Sequence, residues 1–108
     1  MNIKYAVIDA ATSGNNTLVA AVAGKKIRIL AVFMIAAGTV IARFESAADG
    51  TAMSGQMNLA ITSGFCLPFS EAGWGETVAG DLLNLELGGA VSVDGMLVYK
   101  LVDPNNNR

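Results

Sequence analysis

The chain has 108 residues, 53% of them apolar and only 15% charged, with a net charge of −2. That length allows one domain, and surface scaling gives about 5,600 Å² exposed when folded against about 16,000 Å² unfolded, enough for an independent core. A charged fraction well below the roughly 25% typical of soluble domains covers such a surface thinly, so part of it is expected to be hidden against a permanent partner, most simply a copy of itself.

Several classes of chemistry fall away at once. No histidine occurs, which removes Ser-His-Asp and Cys-His catalysis, the usual zinc sites and the commonest general base. The single cysteine, Cys66, excludes an internal disulfide framework and a Cys-based zinc site, and is expected to be a small buried apolar residue. No basic cluster exceeds Lys25-Lys26-x-Arg28, so nucleic-acid binding is disfavoured. The opening Met1-Asn2-Ile3-Lys4-Tyr5 lacks the features of a secretory signal, and the expected site of synthesis and assembly is a cytoplasm.

Residues 1–12 alternate through Ile3, Tyr5, Val7 and Asp9, a first strand or an extended arm. A turn cluster at 12–16 follows, then a strand at 17–23. Gly24-Lys25 signals a tight turn, so 18–35 is expected to form a hairpin. The most apolar part is 27–44. Only fourteen uncharged residues separate Arg28 from Arg43, short of the roughly 18 to 20 a membrane span needs. Its Ile, Val and Phe instead predict two strands, 26–35 and 39–46, broken at Ala36-Ala37-Gly38. Strict alternation through the first would put Ile27, Ile29, Ala31, Phe33 and Ile35 on one face and Arg28, Leu30, Val32 and Met34 on the other. Both faces are apolar. One must meet the opposite sheet, and the other either a sister subunit or a loop of the same chain.

Ala48-Asp49-Gly50-Thr51 marks a turn, and 53–62 alternates as a strand with one wet side. Pro68 confines 65–69 to a sheet edge or a strand end. The loop 70–81 holds Trp74, either a carbohydrate platform or an interface anchor, with Glu71, Glu76 and Asp81 nearby in sequence. Leu83, Leu85 and Leu87 are expected to point inward. The last strand, 91–102, meets either a turn or a bulge at Asp94-Gly95, and 103–108 forms a polar tail.

About eight strands with regular turn signals and no helix predict an all-β protein: a two-sheet β-sandwich, jelly-roll-like, forming a single domain over 1–102. The acidic loop is too poor in polar neighbours to make a convincing enzyme, and no cofactor is implied. Asp49-Gly50-Thr51 and Asp94-Gly95 lack the alternating ligands and distal Glu of a calcium loop. No phosphate loop is present either, because the glycines at 73, 75 and 80 do not join a strand to a helix.

The strand around Tyr5-Ala6-Val7-Ile8, the segment 18–35, G-F-C-L-P-F-S at 64–70, Trp74, and V-S-V-D-G-M-L-V-Y at 91–99 together give a chain that resembles the small jelly-roll decoration, or cement, proteins on the heads of tailed bacteriophages. The resemblance implies a homotrimer, or less often a dimer, on the capsid exterior, assembled in the host cytoplasm and tying major capsid protein subunits together, with no nucleic-acid or membrane partner. Under it, Leu30, Val32, Met34 and Trp74 face sister subunits, and Tyr5 and Val7 belong to an arm that contacts the capsid. The alternatives are a glycan- or receptor-binding module of a phage tail or tail fibre, with Trp74 as its platform, and a bacterial cytoplasmic scaffold.

Overall fold

The apolar stretch 27–44 breaks at Ala37-Gly38-Thr39, and its two halves become interior strands of two different sheets. The computed structural model describes residues 3–104, so Met1 and Asn2 of the expected arm and residues 105–108 of the expected tail lie outside the described residues. The strands are β1 (Ile3–Ala10), β2 (Gly14–Val19), β3 (Lys26–Ala36), β4 (Val40–Ser46), β5 (Thr51–Ala52), β6 (Met57–Leu59), β7 (Gly64–Leu67), β8 (Gly75–Glu76), β9 (Leu83–Leu87) and β10 (Val93–Val102).

One sheet runs β1-β10-β3-β7, with β8 also on β3; the other runs β2-β9-β4-β5, with β6 also on β4. Every pair is antiparallel. Because β10 occupies one side of β3 along its whole length, β7 and β8 are two pieces of a single interrupted edge strand on the other side. Pieces β5 and β6 do the same beside β4. Counted this way, eight strands exchange sheets in jelly-roll order; alternation and turn spacing predict the strand count and the sandwich but not that order.

The expected hairpin over 18–35 does not form. Strand β2 pairs with β9 and β3 with β10, so the turn closed by the Lys25 amide on the Val22 carbonyl (3.1 Å) carries the chain from one sheet to the other. The reason lies in the polar start of β2. The Asn16 amide donates to Asn84 Oδ1 (2.8 Å) and Asn84 Nδ2 donates to Asn15 Oδ1 (2.9 Å), which fixes β2 against β9. Asn84, itself fully buried, also donates to Glu45 Oε1 (3.0 Å), while Arg43 Nε donates to Glu45 Oε2 (2.7 Å). A buried carboxylate is thus held by partners on both oxygens.

Asp94-Gly95 is neither a turn nor a bulge, since β10 runs straight through it. Glycine is required there for close approach: a Cβ at Gly95 would fall 2.0 Å from the Phe33 carbonyl oxygen, and one at Gly64 only 1.8 Å from that of Met34. Strands β10 and β7 therefore close on β3 from both sides. The irregularity sits further along. Val98 faces Ala31 and Tyr99 faces Ile29, so Leu30 is an extra residue on β3, a β-bulge.

The core lies between the sheets and includes Ile8, Ile27, Met34, Leu83, Leu85, Leu87 and Leu97. Total accessible surface is 5518 Å², close to what a chain of this mass exposes when it folds by itself. The apolar excess therefore does not keep the single chain from closing its own core.

Asn84→Ala removes the partner of both Glu45 Oε1 and the Asn16 amide. A loss of about 1–3 kcal/mol is expected, read as a lower urea midpoint with an unchanged slope.

Candidate functional site

The bulge at Leu30 decides which side chains of β3 reach the surface. Before it, Ile27 and Ile29 point into the core; after it the parity flips, and Val32, Met34 and Ala36 point inward. Phe33 and Ile35 are consequently turned to solvent, 45% and 55% exposed. The expected subunit contact through Leu30, Val32 and Met34 is thus corrected, because all three are buried within the chain. No Gly or Pro in 26–36 marks the bulge, so strict alternation placed the wrong set outside.

Register gathers the exposed residues into rows. Val7 lies opposite Met96, Met96 opposite Phe33, and Phe33 opposite Cys66, a line across four strands. Beside it, Tyr5 lies opposite Val98 and Val98 opposite Ala31. Tyr5 and Val7 are 70% and 73% exposed. Cross-strand neighbours of this kind stand about 4.5–5.5 Å apart, so the rows form one continuous apolar surface on the outer face of the first sheet. Cys66 belongs to it and is exposed, contrary to the expectation of burial; its neighbours Phe65 and Leu67 take the inward positions on β7. Strand β1 is the margin of this face, and its outer side pairs with no strand among the described residues.

Trp74 is not part of the face. It stands at the opposite edge of the same sheet, its amide donating to the Ile29 carbonyl (2.8 Å) and its Nε1 to the Pro68 carbonyl (2.8 Å). The indole is half exposed and lines an apolar cleft between the sheets. Trp74 and Tyr5, both expected at contacts, are therefore separated by the width of the sheet.

The carboxylates of the 70–81 segment are dispersed into structural contacts. Glu76 accepts from Arg28 Nε (2.5 Å) and pairs with Lys26 (3.6 Å), while Asp81 accepts from Ser46 Oγ (2.8 Å). Gly73, at φ +89°, lets the loop lie on the Arg28 side chain, since a Cβ there would fall 2.5 Å from Arg28 Cγ. Glu71 is exposed. Among the described residues, no group of three or more His, Cys, Asp and Glu is placed to hold a metal ion.

The fold and this surface define the class: an all-β jelly-roll-ordered sandwich whose first sheet carries two apolar rows on its outer face, next to a row in which Ile35 lies beside Asp94 and Asp9. Comparison with protein-family models, with curated proteins and with solved structures returns no match to this chain.

Adjacent residues of β3 are expected to respond oppositely to a charge. Val32→Asp places an unpaired carboxylate in the core and is expected to cost more than about 4 kcal/mol, whereas Phe33→Asp should still fold cooperatively, its thermal midpoint falling by no more than the loss of self-association accounts for. Circular-dichroism melts of the two variants check the parity flip.

Proposed function

We propose that this protein is a non-enzymatic structural protein that self-associates and fastens other proteins together. Its setting in this reading is the exterior of a phage head, where it decorates and stabilises the capsid by bridging major capsid subunits. The observation that carries the proposal is the apolar outer face of the first sheet, with Phe33 and Ile35 in the middle of the sheet and Tyr5 and Val7 at its margin. Contiguous apolar surface is unfavourable in water by about 25 cal/mol per Å², and patches of this kind mark protein contacts. Jelly-roll strand order and the sequence resemblance to head decoration proteins give the contact its setting.

Within this reading the face divides by position. Phe33, Ile35 and Met96 make the contact between copies, in a homotrimer or, as the other closed form, a dimer. Tyr5 and Val7 lie on β1, whose free edge offers backbone donors and acceptors for strand addition, and these contact the capsid. A symmetric oligomer presents several such edges at once, so that weak individual contacts combine through effective concentration.

The half-exposed Trp74 favours the second reading, a glycan- or receptor-binding module. Sugar recognition needs hydrogen-bonding groups beside the stacking ring. The cleft at Trp74 is lined by apolar side chains apart from Ser54, and the indole N–H is already bound, so the capsid reading is preferred.

Light scattering of the purified protein is expected to give the mass of a trimer, or failing that a dimer, and the oligomer should co-sediment with expanded empty phage heads. Phe33→Asp is expected to give a folded monomer that no longer co-sediments. A wild-type monomer that ignores heads, or a Phe33→Asp protein that keeps its oligomeric mass, overturns the proposal; glycan binding abolished by Trp74→Ala would move the assignment to the second reading.

A further inference from the structure

The geometry points to a binding site for a medium-length alkyl chain in the cleft between the two sheets beside Trp74. The cleft arises from two interruptions that face each other. In the first sheet the edge strand stops at Leu67 and resumes at Gly75; in the second it stops at Ala52 and resumes at Met57. Residues from both gaps, with Ile29, Val32 and Phe44 behind them, line a space of about 320 Å³. That is room for about ten waters.

Water is poorly suited to fill it. A buried water needs two to four polar partners, and the polar groups here are engaged. Ser54 Oγ accepts from the Phe44 amide (3.0 Å) and donates to the Gly55 carbonyl (3.0 Å). Trp74 Nε1 is held by Pro68, and the Met53 and Trp74 amides are bound to the Phe44 and Ile29 carbonyls (both 2.8 Å). A sugar or an anionic group would find no free donor among these groups. An apolar occupant replaces unfavourable hydration with dispersion contacts, and the unbranched side chains of Met53 and Met57 adapt to a flexible chain. A single leucine or phenylalanine side chain from a neighbouring protein would leave much of the space empty. An alkyl chain entering from the Trp74 side fills it and keeps its polar head in solvent.

The only tryptophan lines the site, so its emission reports occupancy. Straight-chain primary alcohols from hexanol to dodecanol, titrated into the wild-type protein, are expected to produce a saturable change in Trp74 emission at one molecule per chain. Affinity should rise about fourfold per added methylene and then level off once the chain fills the cleft. A Cβ at Gly75 would stand 3.5 Å from Met53 Cε, in ordinary contact, so Gly75→Leu is expected to plug the cleft, keep the fold and abolish the response. Phe33→Ser, on the outer face, should leave it unchanged.

Three results overturn the proposal. The first is no saturable response, which removes the alkyl chain as an occupant of the cleft. The second is affinity that climbs with chain length without levelling off, and the third is binding lost in Phe33→Ser. The latter two assign binding to the outer face. The length series needs only the wild-type protein, so it decides the matter even if Gly75→Leu fails to fold. None of these results depends on oligomeric mass or capsid binding.

Discussion

One extra residue in the longest strand governs the division between inside and outside. Strand β3 is bound by β10 on one side and by β7 and β8 on the other, so its side-chain parity is transmitted to three neighbours. A regular β3 would keep Ile27, Phe33 and Ile35 on the same side. The bulge at Leu30 allows Ile27 and Ile29 to enter the core from one half and Val32, Met34 and Ala36 from the other. The consequence for the surface is direct: two large apolar side chains, Phe33 and Ile35, are presented to solvent beside Met96. Bulges also increase local twist and bend the strand that carries them, and here the bend coincides with the place where the edge strand departs between Leu67 and Gly75 and returns.

The second sheet is specified differently. Its outer face carries Asn15, Arg43, Glu45 and Asn84, joined by hydrogen bonds across three strands. Asn84 and both oxygens of Glu45 are satisfied in this network, although Glu86 Oε1, on the same face, is buried without a partner among the described residues. A network of this kind contributes little net stability, yet it penalises wrong pairings, because a slip leaves a carboxylate or amide unpartnered. It therefore fixes which strand β2 adopts as its neighbour. Leu83, Leu85 and Leu87 alone, which any apolar strand would suit, do not specify this. The two sheets thus differ on their outer faces: one is joined by a polar lattice tied to its own register, and the other carries apolar rows that meet no other strand among the described residues.

Much of this architecture was legible in the residues. Alternation gave the inward Leu83, Leu85 and Leu87, the break between β3 and β4, and the edge position of the segment ending at Pro68, because period-two burial and proline's missing donor act locally. Sheet membership was less accessible. The turn at Gly24 looks the same whether the flanking strands pair with each other or cross between sheets, and the choice is made by Asn84, far away in sequence. The bulge left no local mark, since Leu30 is as apolar as its neighbours; it becomes visible only against β10. Tyr5 and Val7, expected at a contact only through the resemblance, lie exposed on the regularly alternating β1, whereas Phe33 and Ile35 were missed because β3 does not alternate regularly.

The composition acquires a more specific meaning from this arrangement. An apolar excess over a small charged fraction could reflect an oversized core, but the accessible surface of the single chain is ordinary for its mass. Part of the excess is placed, by register, on one sheet face and part in one cleft, while Val22, Ile41, Ile61, Phe69 and Val78 are exposed elsewhere. Register is a costly place to leave apolar side chains by accident, since a charged residue at position 33 or 7 would meet no steric obstacle on an open face. Lys4 and Asp9 show that β1 accepts charge at other positions. The rows Tyr5–Val98–Ala31 and Val7–Met96–Phe33–Cys66 remain uncharged across neighbouring strands, which is the pattern of a surface meant to be covered. On that argument the working part of the molecule is a sheet face rather than a loop, and its fit to a partner depends on the bulge in β3.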